Sequence, residues 1–336
     1  MTSVEQIRKQ LETVIVPVIE RNIISLNVVK NITLDNDKLK IQIAAAALDT
    51  PILEYLDSGI RAAMSVLKIK DVEIEHIVTP PAELNQIKNV IAIMSGKGGV
   101  GKSSVASLLA ISLKKMGWEV GIMDADITGS SIPRMFGIKN RPAGSDNGLL
   151  PVASESGISV MSMNLLLGQE DDAVIWRAPL LSSAIKQFWT DVLWGKLDYL
   201  IIDLPPGTAD APLTVLQALP VTGIILVFTP QGLVEMIVKK AVNMAQKMEK
   251  QVLGVVENMS YFETPDTKQR YDIFGISKAE AMARTVGAPL LARLPIDPEL
   301  TRLCDAGKIE EYQSPVVTEL GNRFVKSILE LPEAHT

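Results

Sequence analysis

Cysteine and histidine are nearly absent from this chain of 336 residues, which has one cysteine, Cys304, and two histidines, His76 and His335. A single thiol excludes an internal disulfide and agrees with a reducing, cytoplasmic setting. His76 alternates with apolar residues and His335 lies in the tail, so neither has the spacing of a metal ligand. Aromatic residues make up 4% of the chain and hydrophobic ones 47%, a balance that suits an aliphatic core of parallel strands and helices. No apolar run reaches the ~18 residues of a membrane span. The opening MTSVEQIRKQLE is polar and lacks a signal-peptide apolar stretch. With a net charge of −6, the chain offers little to a nucleic-acid backbone, which needs clustered Lys and Arg. Internal repeats and low-complexity segments are also missing.

The pattern along the chain divides it into a small α+β unit at 1–78, a linker at 79–87 and a large α/β unit at 88–336. Helical periodicity over Ser3 to Val18 is followed by a hairpin, Asn31 to Ile43, with its turn at Asp35-Asn36-Asp37. Thr50-Pro51 opens a second helix, threonine as cap and proline in its first turn, and Val72 to Ile77 alternates as a closing strand. Pro80-Pro81 marks the linker, where the two units are expected to be separable. Beyond it, apolar strands at 90–95, 119–124, 158–163, 198–203, 223–229, 252–257 and 290–295 alternate with helical segments. That alternation predicts a doubly wound, mostly parallel sheet, in which ligands gather at the carboxyl ends of the strands.

Gly96 to Ser103 reads GKGGVGKS, between an apolar strand and a helical pattern. Strand, glycine loop, helix is the context of a phosphate-binding loop, whose N–H groups and helix dipole converge on phosphate. Gly96, Lys97, Gly98, Gly99, Val100, Gly101, Lys102 and Ser103 are therefore expected to cradle ATP, Lys102 reaching the β/γ-phosphates and the Ser103 hydroxyl Mg²⁺. Asp124 and Asp126 follow a strand at i, i+2 and share a face; a Mg²⁺ ion with an attacking water would account for two like charges there. Asp203 ends the apolar Leu200-Ile-Ile and is placed to hold a water on Mg²⁺, with the Gly207 N–H meeting the γ-phosphate. Asn258 ends a further strand with an amide able to pair with adenine.

These motifs resemble those of the Mrp/ApbC-type iron–sulfur cluster carrier ATPases, within the deviant Walker A class that also holds MinD-type, ParA-type and nitrogenase-iron-protein ATPases. The likeness runs through GKGGVGKS, DADITGSSIPRM, WRAP, DYLIIDLPPGTADA, TPQGLVE and GVVENMSYF. It implies a homodimer in which Lys97 crosses to the partner's nucleotide, Asp124 lies in the outer shell of Mg²⁺ and Asp126 orients the attacking water. Pro295 and Asp297 lie in a segment that resembles the one closing over the base. Arg177 is placed either on nucleotide or partner, or stacked on Trp176. Ser130 and Ala209 stand where the family commonly has proline and glycine.

The resemblance further implies a bridging [4Fe–4S] cluster held by a C-x-x-C pair, iron–sulfur scaffold or apo-client proteins as partners, and a small N-terminal domain shared with assembly factors. Here the pair is Thr264 and Thr267, hydroxyls that cannot replace thiolates for iron. The assembly-factor cysteine is likewise missing from Ala47-Leu-Asp-Thr-Pro51, and Cys304 fits a helix-buried thiol. The resulting expectation is an ATP-hydrolysing cluster carrier; the alternatives are a cluster-less, nucleotide-gated adaptor of the same branch and a MinD- or ParA-like positioning ATPase. The last is weakened because Glu319 and Glu330 offset Arg323 and Lys326 in the tail, leaving no basic membrane-surface helix.

Overall fold

The computed structural model describes residues 2–35, 38–126, 129–166, 178–208, 210–231 and 234–330. The expected turn at 36–37, the Trp176–Arg177 pair, Ala209 and His335 lie outside them.

The small unit begins with the helix Val4–Leu11, closed at its start by a capping box between Ser3 and Gln6. This helix is shorter than the periodicity to Val18 predicted. Val14, Val16, Ile19 and Ile23 are buried through a tight ribbon, Ile15–Val16 against Arg21–Asn22, so their spacing follows the ribbon and not a helix. Strands Val29–Asp35 and Lys38–Ala44 pair antiparallel, and Asp71–Ile77 joins the second in parallel. The helix Thr50–Val66 between them buries Ile52, Leu56 and Ile60. Its cap is Asp49 and not Thr50, because the Asp49 side chain accepts from the Ile52 N–H at 3.0 Å and leaves Thr50 and Pro51 in the first turn.

The large sheet has eight strands in the spatial order Val152–Ala153, Ser159–Ser162, Val120–Asp124, Lys196–Asp203, Gln86–Ser95, Gly223–Phe228, Gln251–Glu257, Leu290–Arg293. All neighbours are parallel except the first pair. The chain starts in the middle and winds outward to both sides, the doubly wound pattern expected. Ile91, Ile93 and Ile201 face one helical layer, while Ala92, Met94 and Ile202 face the other. Both faces are covered, which is why these strands read as unbroken apolar runs.

The segment expected as a linker is itself folded. Pro81–Leu84 forms a short helix, Pro81 and Leu84 are buried, and the first central strand starts at Gln86. The small unit packs at the amino-terminal ends of the central strands. Arg21, 5% exposed, donates to the carbonyls of Trp194 at 2.6 Å and Lys196 at 2.8 Å, and the Lys196 N–H donates to Ser25 O at 2.8 Å. Gly195 permits this approach, since a Cβ there would stand 2.7 Å from Leu26 Cα. Leu150 and Leu193 of the large unit share one apolar cluster with Ile7, Leu26 and Leu56 of the small one.

Candidate functional site

The loop after Gln86–Ser95 and the helix Lys102–Lys115 place the phosphate-binding sequence at the carboxyl end of the sheet's central strand. Gly99 and Gly101 have φ of +75° and +76°, a conformation that turns successive N–H groups inward and that glycine adopts without strain. The neighbouring strand ends in Asp203, level with Ile93 on one side and Asp124 on the other. Three separate sequence motifs thus meet on one rim.

At their centre Lys102, 6% exposed, has its Nζ 2.5 Å from Asp203 Oδ1 and 3.8 Å from Asp126 Oδ2. The lysine supplies the positive charge that three crowded carboxylates require. Burial still dominates: it pushes the Asp203 carboxyl up, against the pull of Lys102 and of the Ser103 hydroxyl. Asp124 is pushed up to about 7, first by burial and then by the Asp203 charge. Asp203 Oδ2 is buried and finds no hydrogen-bond partner among the described residues. An orphaned carboxylate oxygen beside a second carboxylate and a hydroxyl is a hard, anionic donor set that fits Mg²⁺.

Two hydroxyls that drew no role from the sequence support Asp124. Ser130 Oγ donates to Asp124 Oδ2 at 2.5 Å and lies 2.7 Å from Ser162 Oγ. A proline in place of Ser130 would have no hydroxyl to make that bond. Ser162 lies in a strand without a recognisable motif, so only the fold brings it to the site.

Lys97 does not lie on the Lys102 cluster; its Nζ donates to Gln231 Oε1, just past the Gly223–Phe228 strand. Gln231 belongs to the TPQGLVE motif, which signalled the family but not this contact. The Gly207 N–H, expected on the γ-phosphate, donates here to Ser95 O at 3.1 Å. Gly207 has a φ of +95°, which glycine adopts without strain, and nothing stands within 4 Å of where a Cβ would be.

On the other side of the loop, Asn258 Nδ2 donates to Val100 O at 2.9 Å, an approach that Gly101 makes possible. Pro295 and Asp297 line an open cavity of about 500 Å³ together with Tyr261, Arg270 and Tyr312. The Asp297 carboxylate is committed to structure: it caps the helix Pro298–Asp305 through the Glu299 N–H and accepts from Tyr312 Oη at 2.7 Å.

Thr264 and Thr267 lie in the turn joining Phe262–Glu263 to Arg270–Tyr271, away from the phosphate loop in sequence and exposed. Their hydroxyl oxygens are 2.6 Å apart, and Thr264 Oγ1 also accepts from the Gln269 N–H at 3.1 Å. Cys304 is half-buried in its helix, with its thiol pushed up to about 11 by burial and by Asp305. A thiol held so firmly protonated is a poor iron ligand. These residues do not fit a thiolate-bound cluster. No helix among the described residues is long and apolar enough to cross a membrane.

Comparison with known proteins agrees with this geometry. Residues 86–329 match the family described as NUBPL iron-transfer P-loop NTPase, and residues 4–76 match that of iron–sulfur cluster assembly proteins. An iron–sulfur cluster carrier protein of Clostridium perfringens is 48% identical over 244 residues, spanning 69% of this chain and 86% of its own. One from Deinococcus radiodurans is 37% identical over 344 residues and 97% of each chain. The solved nucleotide-binding protein in complex with ADP from Archaeoglobus fulgidus superposes with a TM-score of 0.62 at 47% identity, over 69% of this chain and 90% of that one. The MinD cell division protein of Aquifex aeolicus, at 17% identity and a TM-score of 0.51 over 73% of this chain and 98% of its own, shares the fold. The chain belongs to the iron-transfer P-loop NTPase family, among the iron–sulfur cluster carrier proteins.

Proposed function

We propose that this chain hydrolyses ATP as a homodimer and uses the cycle to serve iron–sulfur cluster delivery. The observation that carries the reading is the Lys102–Asp203–Asp126 cluster under the phosphate loop, with one orphaned Asp203 oxygen. Ser103, Asp203 and, at longer range, Asp124 would hold Mg²⁺, which neutralises charge on the β- and γ-phosphates. Lys102 leaves Asp203 for the incoming phosphate, exchanging one anion for another. Asp126 takes and orients the attacking water. Lys97 lets go of Gln231 and reaches across the dimer, where its ammonium stabilises charge on the transferring phosphoryl. Gly207 releases Ser95 and turns its N–H to the γ-phosphate, so that the loop reports hydrolysis. Asn258 and the Pro295–Asp297 segment hold the base. Scaffold or apo-client proteins are the partners, in the cytoplasm.

Phosphate release from ATP with Mg²⁺ by the full chain, lost in Lys102→Ala, tests this reading; a wild-type protein that neither binds nor cleaves ATP refutes it. A second reading, a nucleotide-gated adaptor of the same branch that carries no cluster, is favoured by the Thr264–Thr267 hydroxyl pair. Iron and sulfide content after anaerobic reconstitution separates the two: a stable cluster in the wild-type dimer supports the carrier, and none supports the adaptor.

A further inference from the structure

Glu257 takes no part in the cluster around Lys102, yet it is a wholly buried carboxylate. Such a group is stable only when donors surround it. Its Oε2 accepts from Ser260 Oγ at 2.5 Å and from Ser277 Oγ at 2.6 Å, and its Oε1 from the Lys278 N–H at 2.8 Å. Arg293 Nε stands 3.6 Å from the same carboxylate and donates to Ser260 Oγ at 3.0 Å. One side chain therefore joins a strand end, the turn after it, the approach to the helix Ala279–Val286 and the edge strand Leu290–Arg293.

What lies on either side of this post gives it a purpose. Asn258, the next residue, reaches the phosphate loop at Val100 O. Tyr261, three residues further, is stacked by the Arg270 guanidinium at 4.4 Å and approached by that of Arg293 at 5.8 Å. Arg270 belongs to the hairpin that carries Thr264 and Thr267, and is held there by Glu263 at 3.0 Å. The chain Asn258, Glu257, Arg293, Tyr261, Arg270 is continuous through contacts, and its only anionic anchor among these is Glu257. We propose that Glu257 is a positioning residue which couples nucleotide occupancy at Asn258 to the placement of the 262–271 hairpin. The hairpin then presents a different face to partner proteins in the nucleotide-bound and free states. This rests on the ATP-binding reading above.

Hydrogen exchange of the full-length protein, with and without the Mg²⁺ complex of the non-hydrolysable analogue adenylyl imidodiphosphate, tests the inference. In the wild type the analogue should slow exchange across 262–271 by about tenfold, the size of a typical coupling between sites. Glu257→Gln keeps the shape and lets the two serine hydroxyls turn to accept, but removes the charge that holds Arg293. It should still bind the analogue while the hairpin's response falls below about twofold. Arg293→Ala, at a half-exposed position, should do the same and carries the test where Glu257→Gln fails to fold. A purely structural role would lower the melting temperature and leave the nucleotide response of the hairpin intact, and that result overturns the inference. A wild type that binds the analogue with unchanged hairpin exchange also overturns it. A wild type that does not bind the analogue overturns the ATPase reading on which it rests.

Discussion

Two lysines five residues apart in one loop sit in different surroundings, and their substitutions should separate. Lys102 is the buried counter-charge of Asp203 and Asp126, whereas Lys97 is held by a neutral amide, Gln231. Lys102→Ala should weaken ATP binding by about 2–3 kcal/mol, the loss of a charge-assisted bond to phosphate. Lys97→Ala should bind ATP within a few-fold of wild type but lose about 10³-fold in turnover, as when a finger residue is removed. Isothermal titration and phosphate-release assays check both; an unimpaired turnover in Lys97→Ala would discard its role in trans. Asp124 gives a prediction in pH. Its folded pKa of about 7 lies above the ordinary carboxyl value of 3.8, so the native state holds the proton longer than the unfolded chain does. Its contribution to stability is full below about pH 4 and is lost as pH rises through about 7. Nucleotide-free protein should therefore melt at falling temperature from pH 5 to pH 7.5, and Asp124→Asn should flatten that slope. Equal slopes in the two proteins would show that Asp124 is not the group responsible.

Elements whose residues carry a local physical signal were legible in the sequence. The glycine loop, the seven apolar strands of the large sheet and the parallel order of its core follow from periodicity and from glycine and proline placement. What the sequence hid depends on contacts between elements. The stretch from Glu12 to Val18 continues the helical periodicity read from Ser3 but serves a ribbon, because burial against the Thr50–Val66 helix overrides propensity. Ser130 and Ser162 meet only after the sheet is assembled, and Glu257 stands inside a recognised motif while two of its three donors, Ser277 and Lys278, come from about twenty residues further along. The hairpin 262–271 is the element where sequence and chemistry part most clearly. Its flanking segments carry the resemblance to the cluster carriers, while its own side chains at the turn are the hydroxyls Thr264 and Thr267. Because Thr264 and Thr267 share one turn, paired substitution Thr264→Cys and Thr267→Cys puts two thiols per subunit, four in the proposed dimer, on the same hairpin. Reconstituted anaerobically, the double variant should gain visible absorbance and iron that either single variant largely lacks; equal loading of all three would mean the turn does not set the ligand geometry.

At the scale of the whole molecule, the nucleotide site and the small unit occupy opposite ends of the same strands. Lys196–Asp203 carries Asp203 at one end and the Arg21-bound Lys196 carbonyl at the other. The pattern along the chain and the proline pair predict two separable bodies, 1–78 and 88–336, and a boundary across Pro80–Pro81 remains a proposal. Leu150 and Leu193 are fully buried in a cluster built mostly from the small unit. Residues 85–336 alone would expose both leucines and strip the Trp194 and Lys196 carbonyls of their donor. Apolar exposure of two leucines costs about 3–6 kcal/mol, and each stranded carbonyl that water does not reach adds about 1–3 kcal/mol. That sum is comparable with the whole stability of a domain. The truncated chain should therefore be poorly soluble, or melt well below the full protein. Arg21→Ala in the intact chain isolates the polar part of the effect and should cost about 2–4 kcal/mol in urea unfolding, with ATP affinity preserved because the phosphate loop lies at the far rim. A soluble 85–336 fragment with the melting temperature of the full chain, together with an unperturbed Arg21→Ala, would mean that the buried interface adds nothing and that the two units are merely adjacent.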